Sequence, residues 1–274
     1  MHIKAASHMV FALTIVAIGI LGVLSNDFAP IWQPVPSTYP DRQLLVGLCT
    51  FMSLACGVGL LIKRTSAPAA LLLLAYLLTW TIIFKVPFII RAPLVEGSYQ
   101  SCGENAVLIA GAWALYASLA EGPKSWDLGF LAGPAGLWTA HVIYGLALIA
   151  FGFSHFVYLD LTAPLVPTWL PAPVFWAYST GMVYVVTGVA LVTGIFARLA
   201  AAAAALQITL ITLLVWGPMV LSWQLSPTHW QETIVSWALT TSAWVVATSF
   251  ERSWRFNRSD GSLGEHQGSE PLLG

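Results

Sequence analysis

The sequence predicts an all-α membrane protein, with eight transmembrane helices forming two parallel four-helix-bundle repeats. Three observations lead there. Apolar residues make up 58% of the chain and charged residues only 8%, against roughly 25% charged in soluble domains. Eight stretches are long and apolar enough to cross a hydrocarbon layer of about 30 Å, which takes ~20 helical residues. The chain also repeats itself. Gly19, Asp27, Pro34 and Pro40 return at one constant offset as Gly152, Asp160, Pro167 and Pro173. Gly57-Val58 and Val86-Pro87 return as Gly188-Val189 and Gly217-Pro218 at a slightly shorter one, so small gaps separate the copies. That unit is larger than a solenoid module and almost wholly apolar, so a duplicated membrane domain is the reading it supports.

The spans fall near 8–24, 43–62, 66–90, 102–120, 135–158, 173–195, 197–220 and 230–250. Residues 1–121 make the first repeat, 122–136 a Gly/Pro-punctuated linker, and 137–256 the second repeat. The hydrophilic tail 257–274 is expected to be disordered, because it buries too little apolar surface to offset the entropy of ordering. The first span lacks a small-residue cleavage site and belongs to the repeat, so it is read as a permanent span rather than a signal peptide. An even number of spans per half leaves the two halves in the same orientation, related by an axis along the membrane normal.

Orientation follows from the cations. With eight spans both termini share a side, and that side holds Lys4, Lys63, Arg64, Lys124, Arg198, Arg252, Arg255 and Arg258, eight of the eleven Lys and Arg. The positive-inside rule makes it the cytoplasmic side and puts both Pro/Trp loops outside. The loops carry Trp32, Pro34, Pro36 and Pro40 in one copy and Pro164, Pro167, Trp169 and Pro171 in the other. Proline fixes φ and removes a donor, so these loops are expected to lie along the outer surface and cap their bundles. Ser101 to Glu104 and Thr228 to Gln231 have the capping-box spacing and are expected to open spans 4 and 8.

The segment from Gly152 to Gly181, followed by the Arg-x-Ala-Ala turn from Arg198 to Ala201, resembles the DoxX/DoxD-like integral membrane proteins. Gly152, His155 and Phe156, the loop Val166 to Pro171, and the Phe175 to Gly181 opening of the next span carry the likeness. Residues 145–250 match best; 10–118 read as a degenerate copy with Gly22 in the place of His155. The resemblance implies an accessory or anchor subunit of a redox assembly in the bacterial cytoplasmic (inner) membrane, a multi-pass protein contacting lipid and other membrane subunits. It also admits a small quinone-linked oxidoreductase. A small-molecule transporter is the third reading, weakened by the scarcity of polar residues in the spans.

Candidate chemistry centres on His155, because a histidine in an apolar span is costly unless partnered. It suits a proton relay or a hydrogen bond to a quinone carbonyl, or alternatively an anchor for the Pro/Trp loop. Asp160 and Glu232 are the acids placed to tune it. Asp27 and Asp160, present in both halves, are read chiefly as acceptors for loop amides, and Glu104 and Glu232 chiefly as helix-start residues favoured by the dipole. Lys85 is expected to snorkel to the outer interface along its alkyl stem. Trp230, Trp237 and Trp244 share one face of the last span over ~21 Å; with Trp169 they are the candidates for stacking on a quinone or carotenoid, or on a partner helix. Cys49 and Cys56 are ~10 Å apart on one helix, beyond the reach of a disulfide, which needs Cα atoms within about 7 Å; Cys102 reaches Cys49 only if spans 2 and 4 touch. No metal-ligand spacing, haem signature, phosphate loop or activated nucleophile is present, and no basic patch suggests nucleic acid. The sequence therefore points away from an enzyme with its own redox centre, with no intrinsic cofactor expected.

Overall fold

The computed structural model describes residues 2–120, 128–222 and 226–265, and among these every regular element is helical. Helix α1 spans His2–Ser25, α2 Arg42–Leu61 and α3 Ser66–Trp80. A π-turn at Thr81–Lys85 leads into α4, Val86–Arg91, and α5 spans Glu96–Leu119. The second half continues with α6 Gly133–Val157, the short α7 Leu159–Thr162, α8 Pro173–Thr193 and α9 Ala197–Ile211. A second π-turn at Thr212–Trp216 leads into α10, Gly217–Leu221, and α11 runs Pro227–Glu265. Positions 266–274 of the expected disordered tail, and 121–127 in and beside the expected linker, lie outside the described residues.

Seven helical segments among the described residues are long and apolar enough to cross a membrane, the first Ala5–Ser25 and the last His229–Phe250. The chain is a multi-pass membrane protein. Helix α5 is as long as these seven but less apolar, and its position explains why. Every residue from Val107 to Ala117 is buried, so this helix meets protein on all sides and carries Ala and Gly where a lipid-facing helix carries Leu and Ile. Small residues let helices approach closely where no water drives their association.

The helices form a closed circuit. Helix α1 packs on α2, α2 on α3, α3 on α5, α5 on α6, α6 on α8, α8 on α9, α9 on α11, and α11 on α1, while α5 and α11 touch across the middle. The glycines shared by the halves sit at the tightest of these contacts. A Cβ on Gly57 would lie 2.7 Å from the Val16 backbone nitrogen, and one on Gly188 would lie 2.5 Å from the Gly145 carbonyl oxygen.

Spans 3 and 7 lie where expected, at Ser66–Arg91 and Ala197–Leu221, with a change of helical winding part-way. Each widens into a π-turn shortly before a proline, Pro87 or Pro218, whose ring clashes with the carbonyl four residues back in a regular helix. Ser101 and Glu104 do not open their helix, because α5 starts at Glu96 and nothing between 96 and 101 breaks it. The last helix is capped by Ser226, whose hydroxyl accepts the His229 N–H at 3.2 Å, with Pro227 in the first turn, where a missing N–H costs nothing. Lys85 does not snorkel: it is 2% exposed, and its ammonium donates to the Gln33 carbonyl and, at 2.9 Å, to the Ser101 hydroxyl. The two acceptors lie inward, between the first Pro/Trp loop and α5, so the side chain is held there.

Candidate functional site

A cavity of about 560 Å³ lies in the second half, at the end of the bundle where α6 finishes and α5, α8 and α11 begin. Its lining includes Glu104 of α5, Phe151, Ser154 and His155 of α6, Tyr184 of α8, and Glu232 and Ser236 of α11. The Pro/Trp loop covers it through Leu165, Val166, Pro167 and Leu170. On the α8 and α9 side the lining residues Trp176, Val183, Leu206, Leu210 and Leu214 are also exposed on the outer surface of the bundle. The mouth is therefore apolar and faces where lipid would lie, with His155 and Glu104 half-buried behind it and Glu232 exposed at its edge.

The reason a cavity forms here is visible in the equivalent residues of the first half. Trp32, 1% exposed, sits edge-on to Tyr76 at 5.1 Å and to Trp80 at 5.5 Å, and Trp80 lies tilted against Phe84 at 4.2 Å. The Trp80 indole N–H also donates to the Trp32 carbonyl at 3.2 Å. This ladder fills the corresponding end of the first half. The residues at the repeat's spacing are Leu165, Gln207, Ile211 and Val215, and all four line the cavity instead. The loss of these large rings from one site leaves space for a ligand, since interiors are otherwise packed to crystal density.

His155 is seated by a reciprocal exchange of size. In the first half Gly22 faces Thr50, whose hydroxyl a Cβ at position 22 would strike. At equivalent spacing His155 faces Gly181, where a Cβ would come 2.9 Å from the His155 Cβ. The imidazole Nδ1 donates to the Phe151 carbonyl at 2.8 Å, and the ring lies 5.4 Å from that of Tyr184. In the neutral ring Nε2 is then an acceptor, with no partner among the described residues. The carboxylates of Glu104 and Glu232 likewise have no hydrogen-bond partner there, and Lys85 lies within electrostatic reach of Glu104. Among the described residues no Lys or Arg lines the cavity.

Of the residues singled out from sequence, the structure brings His155 and Glu232 together on the cavity, joined by Glu104. Asp160 falls in α7 and is not part of the lining. Asp27 accepts the Phe28 N–H at 2.6 Å and pairs with Arg42 at 2.6 Å, tying the first loop to α2. Trp169 is 68% exposed and outside the lining. Trp237 donates to Thr14 of α1 at 3.1 Å and Trp244 to Thr209 of α9 at 2.9 Å, while Trp230 is exposed; these three indoles are likewise not in the lining. Cys49 accepts the Tyr76 hydroxyl at 3.0 Å, and all three cysteines are free. Among the described residues no group of three or more His, Cys, Asp or Glu is placed to hold a metal.

The sequence reading missed the lining residues Gln207 and Tyr184 and the seat provided by Gly181. Comparing the halves position by position reveals Gln207 and Gly181, because each is the odd member of a pair. It reveals another repeated feature too. His8 and His141 are related by the sequence offset that takes Gly19 to Gly152; His8 Nε2 donates to the Leu60 carbonyl at 2.9 Å, and His141 Nε2 shares a hydrogen bond with the Ser249 hydroxyl at 2.8 Å, well away from the cavity.

No family model, curated protein or solved structure matches the chain.

Proposed function

We propose that the chain is a DoxX-like subunit of a redox assembly in a bacterial cytoplasmic membrane, and that its second half holds a lipid-soluble, quinone-type molecule. The observation that carries this reading is the cavity: an apolar mouth on the lipid-facing side, lined behind it by the half-buried His155 and Glu104, with Glu232 exposed at the edge. Ligand sites commonly combine a largely apolar concave lining with a few convergent polar groups. His155 and the two carboxylates would hold the head group, and Phe151, Tyr184 and Trp216 would flank it.

In this reading the protein has eight spans, with α5 as the least apolar, arranged as two parallel repeats with both termini cytoplasmic. Two 15-residue helices, α3 and α9, each followed by a five-residue π-turn at the equivalent place in its half, support the repeat. So does the buried bond at each turn. Asn105 donates to Thr81 at 3.1 Å, and Ser236, its counterpart in the second copy, bonds to Thr212 at 2.7 Å. The accessory role is supported by the want of any motif for a resident redox centre.

Purification at native expression in a gentle detergent tests the proposal. The expected result is co-purifying membrane subunits and a quinone-type molecule in the lipid extract. A free 29.5 kDa chain with neither would overturn it. Quinol turnover by the chain alone would replace the accessory role with the oxidoreductase reading.

A further inference from the structure

Resting on the reading of this cavity as an amphiphile site, we infer that Tyr184 and Trp216 each donate a hydrogen bond to an acceptor oxygen of the ligand's head group, such as a quinone carbonyl. Both side chains line the cavity, and they are only 5% and 7% exposed. The Gln207 amide approaches the Tyr184 oxygen as a donor and also donates to the Thr180 carbonyl at 3.0 Å, so the phenol accepts there and keeps its own proton unspent. Neither the Tyr184 O–H nor the Trp216 indole N–H meets an acceptor among the described residues. A buried donor left without an acceptor costs free energy, and here a ligand oxygen would supply one. Three other lining donors without an acceptor, the Ser179 hydroxyl, the Gln100 amide and the Trp176 indole, belong to half-buried or exposed side chains.

The first half spends its equivalent donors internally. At the offset that relates Gly57 to Gly188, Tyr184 corresponds to Ser53 and Trp216 to Lys85. Both of those residues are buried: the Ser53 hydroxyl donates to the Cys49 carbonyl at 2.7 Å, and the Lys85 ammonium to the Gln33 carbonyl and the Ser101 hydroxyl. In the second half the same two positions carry donors that line a cavity instead. The exposed lining residues Val183, Leu206 and Leu210 stand at the mouth, so a prenyl or alkyl tail leaves between α8 and α9 while the head group lies behind them, against Tyr184 and Trp216.

The test uses the full chain in nanodiscs, with two probes that share a tail: a decyl-substituted quinone, and decylbenzene, which has no acceptor oxygen. Affinities are referred to partitioning into empty nanodiscs. Wild type is expected to bind the quinone at least about tenfold more tightly, the step that about one satisfied buried donor supplies. Tyr184→Phe and Trp216→Phe should each shrink that preference by about threefold or more, with decylbenzene affinity within about twofold of wild type. Equal affinity of wild type for the two probes overturns the inference, as does a parallel loss of both probes in the variants, which a purely structural role would give. A preference undiminished in one variant overturns the role of that residue. Each of these results leaves an amphiphile site standing, whereas binding of neither probe by wild type overturns both readings.

Discussion

Single residues decide which half of the protein has a cavity. Trp32, Tyr76, Trp80 and Phe84 fill one end of the first half, and Leu165, Gln207, Ile211 and Val215 leave the other open. His155 was legible in the sequence as a costly polar residue in an apolar span. Its seat was not, because a glycine on a neighbouring helix reads as ordinary packing until the contact is known. Lys85 shows the opposite failure. Its place near a span end suggested snorkelling, and only the fold reveals that Gln33 and Ser101 converge on it. Lys85→Met should therefore destabilise the protein by about 1–3 kcal/mol, since two acceptors lose their donor. Thermal unfolding in detergent measures this, and an unchanged midpoint would contradict the buried role. Trp244→Phe keeps an aromatic ring but loses the bond to Thr209, and should cost about 0.5–1.5 kcal/mol in the same assay, with no effect on ligand binding. Weakened binding would place that indole in the site.

At the scale of elements, hydropathy located the membrane spans well, because lipid contact demands long apolar runs whatever the packing. It fared worse at the ends and in the middle of the bundle. The start of α5 at Glu96 was hidden by Glu96, Ser98, Gln100 and Ser101, polar residues on a first turn and a half that is only partly buried, ahead of the enclosed stretch of the helix. The π-turns left no mark beyond Pro87 and Pro218, which are related by the same sequence offset as Gly57 and Gly188. Helix contacts were partly readable, since the repeated glycines lie where α1 meets α2 and α6 meets α8. Gly188→Val should separate α6 from α8, as its Cβ alone would come 2.5 Å from the Gly145 carbonyl. The expected outcome is loss of monodisperse protein in detergent size-exclusion chromatography. Wild-type behaviour would mean the two helices are not in backbone contact there.

For the whole molecule, α3 and α9, the π-turn after each and a buried polar pair at each turn recur at one sequence offset, while aromatic rings fill the end of the first half and a cavity lies in the second. Orientation in the membrane can be checked directly. In a background lacking native thiols, a cysteine at Ser37 or Thr168 should react with an impermeant reagent added outside intact cells, and one at Ser262 should not. The reverse pattern would invert the topology. The central claim is that one half holds a ligand and the other is plugged by its own rings. Native mass spectrometry of the chain released from detergent, saturated with a decyl-substituted quinone, tests it most directly. Wild type should carry one ligand per chain, and the double variant Leu165→Trp with Ile211→Trp, which restores two rings of the plug, should carry none while keeping wild-type helicity and elution. Two ligands per chain, or undiminished occupancy in the folded double variant, would contradict it.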